Sequence, residues 1–302
     1  MPRGRFAPTP SGPLHFGSVL AAAASFLDAR ASGGEWLVRI DDIDTPRNVP
    51  GAADAILRTL ERLGLAWDGE VLHQSRRREA YREAFEALRA AGALYPCGCS
   101  RKAIGEGRGR GVDNTPVYPG TCKFNPPPDG ARLAWRFAVP GGRLGFTDRV
   151  QGAVEHDLER DLGDFVVRRA DGFPAYPLAV AVDDAFQGVT HAVRGSDLLG
   201  SVTRQVLLCR ALGLAEPVFA HIPVAVDGRG DKLSKQTGAR GIDGVPPGRV
   251  LVEALAFLGQ DPPRDLAGAP PAEVLAWAQP SWDLSRVPRF HMIKWKDFAE
   301  SL

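Results

Sequence analysis

An α/β fold built on a parallel sheet is predicted by three features of this 302-residue sequence. It opens as strand, loop, helix and strand; helical patterns of apolar residues at three- and four-residue spacing follow; and a later set of apolar runs has the density of buried strands. In the opening, GRFAPTP is a short apolar run that ends in prolines. Residues 17–31 are strong helix formers, and Gly33-Gly34 closes that helix. Trp36 to Ile40 then reads as a second buried strand with carboxylates at its C-terminal end. Such a β-loop-α-β unit opens a Rossmann-type nucleotide-binding sheet, in which ligands sit at the carboxyl ends of the strands.

Residues 51–63 and 76–91 read as amphipathic helices that cover the sheet. From Tyr95 to about Gly145 the texture turns to Cys, Gly, Pro and Arg with weak periodicity, as in an inserted module. The runs DFVVRR, YPLAVAVDDAFQGVTHAVRG and VFAHIPVAV read as resumed strands of the sheet, with the helical TRQVLLCRALGL between the last two. After Val245-Pro246-Pro247 comes one clear helix, 249–258, and a Pro- and Trp-bearing tail. The expected division is a first half-sheet over 1–94, an insertion over 95–165, a second half over 166–245, and a short helical C-terminal region over 246–302.

Composition narrows the function. Lys and Arg number 37 against 36 Asp and Glu, so a nucleic-acid surface has to be local. The 34 glycines and 25 prolines, about a fifth of the chain, predict many loops. No basic segment followed by an apolar core opens the chain, and no apolar run approaches the roughly 20 residues of a bilayer span. A soluble cytoplasmic protein with no membrane association is expected. Four cysteines are too few for a disulfide scaffold. Cys209 lies in an apolar helical pattern and reads as a buried, inert thiol.

Two segments point to phosphate chemistry. In PTPSGPLHFGS, prolines and glycines shape a loop that delivers His15 to a helix start, whose free N–H groups and positive dipole end suit phosphate oxygens. In GDKLSKQTG, Lys232 and Lys235 stand three apart in a glycine-flanked loop of a chain that has six lysines and 31 arginines. Compact ammonium charges on such a loop can stabilise charge that develops as pyrophosphate leaves. Taken singly, the histidine suits a structural role and the lysines a solvated turn. A third cluster, Cys97, Cys99 and Cys122, offers three thiolates, which with one further donor would make a tetrahedral zinc site; three reduced structural cysteines are the alternative. Basic stretches at Arg76 to Arg78 and Arg101 to Arg110 suit RNA phosphates, although a solvated helix face explains the first as well.

Together, His15-Phe16-Gly17-Ser18 and Lys232-Leu233-Ser234-Lys235-Gln236 resemble the paired HIGH and KMSKS motifs of the class I aminoacyl-tRNA synthetases. Within that class, GRFAPTPSGPLHFGS and LVRIDDIDTPR are similar to the glutamyl branch, and the likeness runs on through YPLAVAVDD, HAVRGSDLL and FAHIPVAV. Only about 67 residues follow Lys235, too few for an anticodon-binding domain. This, with Ser18 at the end of the first motif, resembles the shortened glutamyl-Q tRNA(Asp) synthetase family. A generic dinucleotide oxidoreductase lacks support, because no G-x-G-x-x-G turn follows the first strand.

The resemblance implies an ATP-dependent ligase that activates L-glutamate without tRNA and transfers it to queuosine in the anticodon loop of tRNA(Asp). A truncated enzyme that charges a tRNA 3′ end and a non-catalytic regulator are the rivals. Catalytic roles fall to His15, Lys232 and Lys235, with ATP and Mg²⁺ held near His15, Gly17, Ser18 and Lys235. Glutamate, with two carboxylates, calls for guanidinium forks, for which Arg5 and Arg194 are the candidates. The resemblance adds Thr9, Tyr176 and, for the α-ammonium, Asp41. The family usually carries Glu at this position, so reach shortens by about 1.5 Å. Arg39, Asp42, Asp44 and Arg47 read instead as a salt-bridged strand end. The family also places Tyr118 as fourth ligand to one structural Zn²⁺ in an acceptor-like insertion. A monomer is expected.

Overall fold

The computed structural model describes residues 1–105, 109–233 and 242–295. Strand β1 (Arg3–Phe6) ends where Pro8 and Pro10 cannot extend a ladder, and helix α1 (Phe16–Ala31) starts on His15 as N-cap. Its end needs glycine: Gly33 takes φ +64°, and a Cβ on Gly34 would stand 2.3 Å from the Pro2 carbonyl oxygen. This tight return lets β2 (Glu35–Ile40) pair with β1 in parallel. Helix α2 (Ala52–Arg62) buries Ile56 and Leu60, and α3 (Arg78–Ala90) buries Tyr81, Phe85 and Leu88, as their spacing predicts.

Strand β3 (Leu72–His73) joins β2, and β9 (His191–Gly195) and β10 (Val218–Ile222) continue the parallel sheet on the other side of β1. The strand order β3-β2-β1-β9-β10 reverses direction of growth between β1 and β9, and a site is expected outside the carboxyl ends there. Alternation along β9 and β10 sends Val193, Ala220 and Ile222 to a core with α1, and Ala192 and Phe219 to a second core with α7 (Val202–Leu212).

Three readings differ from the structure. YPLAVAVDDAF is helix α6 (Tyr176–Phe186), not a strand: packed against both α3 and α7, it is apolar over so much of its surface that its period is obscured. The run DFVVRR forms β8 (Phe165–Arg168), which lies in a separate antiparallel sheet with β4 (Leu94–Cys97) and β5 (Ala134–Phe137). Conversely, β6 (Arg143–Asp148) and β7 (Gly152–Asp157), which fall in the expected insertion, form a hairpin on the β10 edge of the main sheet. Short helices α4 (Arg101–Gly105) and α5 (Thr121–Phe124) belong to the loop-rich segment between β4 and β5.

Pro223 lacks an N–H and separates β10 from β11 (Val224–Val226). After α8 (Pro247–Phe257) the tail is more ordered than its sequence indicated. It holds α9 (Pro271–Ser281) and β12 (Met292–Lys294), which pairs with β11 in parallel. Among the described residues no helix is long and apolar enough to cross a membrane.

Candidate active site

A cavity of about 640 Å³ opens at the carboxyl ends of β1, β9 and β10, against the first turn of α1. The loop from β1 to α1 forms one wall. His15 caps the helix: its Nδ1 accepts the Ser18 N–H at 3.3 Å, and Ser18 Oγ lies 3.2 Å from its Nε2. Gly17 lets this ring approach, since a Cβ there would stand 3.2 Å from its Cε1 and Nδ1 and 3.6 Å from the Leu233 carbonyl oxygen. His15, Gly17, Ser18 and Thr9 all line the cavity. They bring the positive end of a 16-residue helix to one side of it.

Arg194 at the end of β9 forms the opposite wall, 5% exposed. Its Nε donates to His221 Nε2 at 3.0 Å and its Nη2 to Gln205 Oε1 at 2.9 Å, while Nη1 lies 3.5 Å from the Tyr176 hydroxyl. Burial draws its pKa below the ordinary arginine value. Among the described residues it forms no ion pair with any carboxylate. A buried cation held by neutral acceptors at a cavity wall is suited to an anionic ligand. Tyr176 also lines the cavity.

Arg5 reaches the same wall but is a neutralised cation, since Nε and Nη2 fork onto Asp184 at 3.2 Å each. Asp184 is shared with Arg39, whose Nη1 stands 2.5 Å from it. Asp41 does not line the cavity; its Oδ1 accepts from Arg39 Nε at 2.7 Å. The side chain therefore meets Arg39. Burial pushes Asp41 up to about 6 despite Arg39, whereas Asp184, also buried but with two arginine partners, is held down at about 2. Arg39 itself lines the cavity, and its buried Nη2 has no hydrogen-bond partner among the described residues.

The strand-end reading suits the remaining charges. Asp42 accepts from Ser75 N and Oγ at 2.7 Å, and Asp44 pairs with Arg47 at 2.6 Å and Arg169 at 3.0 Å. Lys232 lines the cavity and its Nζ stands 2.6 Å from Asp197 Oδ2. Lys235 lies outside the described residues.

The cysteines converge. Cys97, Cys99 and Cys122 sulfurs lie within 4.8 Å of one another, and the Tyr118 hydroxyl is 3.3 Å from Cys97 Sγ and 3.4 Å from Cys99 Sγ. A tetrahedral ion with Zn–S bonds of about 2.3 Å needs such separations, so the three sulfurs and the phenol oxygen fit zinc. Hydrogen bonding with Tyr118 and the Gly98 backbone brings the Cys122 thiol down to about 7 against the effect of burial. Cys209 is buried elsewhere, and burial raises its thiol to about 12.

The sequence does not single out Asp184, Asp197 or the pair His221 and Asp148, while Arg39, read as part of a salt-bridged strand end, is ion-paired as expected. Asp184 and His221 lay in quoted motifs, but nothing local marks a carboxylate that serves two distant arginines, or a histidine buried between charges.

The sequence profile of tRNA synthetases class I (E and Q), catalytic domain, matches residues 2–245. The chain is 54% identical over 292 residues to the glutamyl-Q tRNA(Asp) synthetase of Dechloromonas aromatica (strain RCB), across 96% of this chain and 97% of that protein. It is 54% identical over 286 residues to the glutamyl-Q tRNA(Asp) synthetase of Aromatoleum aromaticum, across 95% and 90%. A crystal structure of glutamate-tRNA synthetase from Elizabethkingia anophelis is similar with a TM-score of 0.78 at 26% identity, across 98% of this chain and 68% of that one. The chain is a ligase that belongs to the class I tRNA synthetases of the E and Q branch and, within them, to the glutamyl-Q tRNA(Asp) synthetases.

Proposed function

We propose that this enzyme activates L-glutamate with ATP, as its Mg²⁺ complex, in the absence of RNA, and then transfers the glutamyl group to queuosine in the anticodon loop of tRNA(Asp). The observation that carries the reading is Arg194, a buried guanidinium at the cavity wall with no ion-paired carboxylate among the described residues. Arg194 and Tyr176 take one carboxylate of glutamate. Thr9 and Arg5 line the path of the rest, and Asp41 is the carboxylate for the ammonium, reached through a bridging water because its Oδ1 is held by Arg39.

The first step is in-line attack of a glutamate carboxylate oxygen on the α-phosphorus, which gives glutamyl adenylate and releases pyrophosphate. It needs no protein acid or base, so the residues act through position and charge. His15, Gly17 and Ser18 hold phosphate oxygens at the start of α1, and Lys232 exchanges Asp197 for phosphate as charge develops, with Lys235 three residues further along the sequence as a second ammonium. In the second step a hydroxyl of the queuosine ring attacks the adenylate carbonyl and AMP leaves. Zinc, when bound by Cys97, Cys99, Tyr118 and Cys122, cross-links the segment between β4 and β5 and takes no part in the chemistry. The protein works in the cytoplasm as a monomer.

The test is glutamate-dependent ATP–pyrophosphate exchange without RNA, followed by transfer of labelled glutamate to tRNA(Asp) with and without queuosine. Exchange without RNA and label only on the queuosine-bearing tRNA is the expected result. Label at the 3′ end of tRNA(Glu) would replace this reading with a charging enzyme, and absence of exchange with one that does not catalyse activation.

A further inference from the structure

Three adjacent strands place one side chain each in a line that ends at the cavity. Asp148 ends β6, His221 lies in β10, and Arg194 lies in β9, where it is the direct register partner of His221. Asp148 Oδ2 is 2.6 Å from His221 Nδ1, and His221 Nε2 is 3.0 Å from Arg194 Nε. The two side chains of the Asp148–His221 pair are 0% exposed. Neither lines the cavity, so neither can touch substrate.

We infer that His221 is the positioning residue for Arg194, with Asp148 fixing its tautomer, and that this pair orients the substrate-facing guanidinium without neutralising it. The proton assignment follows from the partners. Asp148 Oδ1 accepts the backbone N–H groups of His221, Val150 and Gln151 at 3.0, 3.0 and 2.9 Å, which holds its carboxylate ionised and in place. An ionised carboxylate only accepts, so Nδ1 carries the proton. A guanidinium only donates, so Nε2 offers its lone pair to Arg194. Protonation at Nε2 would set donor against donor, with Arg194 and Arg5 as the nearby cations, and burial together with these charges keeps the ring neutral.

The value of an imidazole here lies in its charge. Arg5 and Arg39 are oriented by carboxylates, Asp184 for both and Asp41 for Arg39 as well, and are thereby neutralised. A carboxylate bonded directly to Arg194 would orient it equally well but would compete with the carboxylate of glutamate. A neutral imidazole between Asp148 and Arg194 fixes the guanidinium plane, Gln205 Oε1 fixes Nη2, and Nη1 is left on the Tyr176 side of the cavity.

This inference rests on glutamate as the ligand of Arg194, and two measurements separate its failure from failure of that reading. In ATP–pyrophosphate exchange, His221→Leu is expected to raise the glutamate KM about tenfold or more while the ATP KM stays within about twofold, and His221→Gln, whose Oε1 can accept in place of Nε2, to recover most of the loss. An unchanged glutamate KM, an equal rise in both KM values, or a Gln variant as impaired as the Leu variant would overturn it. The second measurement needs no activity. In ¹⁵N-histidine-labelled wild-type protein, with the His221 signal assigned by its loss in His221→Gln, Nδ1 should be protonated and Nε2 bare across neutral pH. An Nε2–H tautomer or an imidazolium would overturn the proposal, whereas the expected tautomer in an enzyme that shows no glutamate-dependent exchange would reject the substrate reading alone.

Discussion

Asp184 holds two buried arginines at once, which makes it the most consequential single carboxylate beneath the site. Replacing it by Asn leaves Arg5 and Arg39 buried with the charge of one uncompensated, and breaking such an interior pair costs about 3–5 kcal/mol. Urea denaturation at pH 7 should show Asp184→Asn destabilised by that amount. Its carboxyl is held at about 2, below its unfolded value, so its contribution is present above about pH 4 and lost as pH falls toward 2. The wild-type and variant stabilities should therefore converge in acid; a constant difference down to pH 2 would mean that packing rather than charge is lost.

At the scale of elements, the segment between β4 and β5 has short helices and few long apolar runs, so its order depends on the cysteine cluster. Elemental analysis is expected to find about one zinc per chain, and chelation to raise hydrogen exchange in β4 and around Tyr118 and Cys122 while β1 and α1 stay protected. Protein that carries no metal, with exchange unaffected by chelator, would leave three reduced cysteines packed beside a tyrosine. The helix α6 illustrates the limit of element prediction. Its N-terminal turn presents Tyr176 to the cavity and its last turn presents Asp184 to the arginines, yet YPLAVAVDDAF reads as a strand because a helix packed on two sides loses its polar face.

At the scale of the molecule, the C-terminal region is part of the central core. Val250, Leu251, Leu255 and Val274 are buried in the same cluster as Leu20, Leu27 and Ile56 of the first half. Burying each such side chain is worth about 1.5–3 kcal/mol, against a net stability of about 5–15 kcal/mol for a whole domain. A chain that stops after Val245, the end of the matched catalytic domain, should thus lose its cooperative thermal transition and near-ultraviolet circular dichroism. A sharp transition in that fragment would show that α8 and α9 only decorate the fold.

Features that depend on neighbours along the chain are legible in the sequence alone. The proline-bounded loop, the helix begun at His15, the glycine return at Gly33-Gly34, and the spacing of Ile56, Leu60, Tyr81 and Phe85 are short-range matters of φ, capping and period. The cysteine cluster is legible by residue type rather than by spacing, since few residue types can share an ion. Which of the arginines is neutralised emerges from contacts between distant segments. Arg5 and Asp184 lie 179 residues apart, Arg39 and Asp184 145, and Arg194 and His221 27, and no local pattern reveals that Asp184 quenches Arg5 while His221 leaves Arg194 charged. Electrostatic pairing in an interior acts through space, so the same guanidinium becomes a strut or a ligand site according to which strand the fold lays beside it.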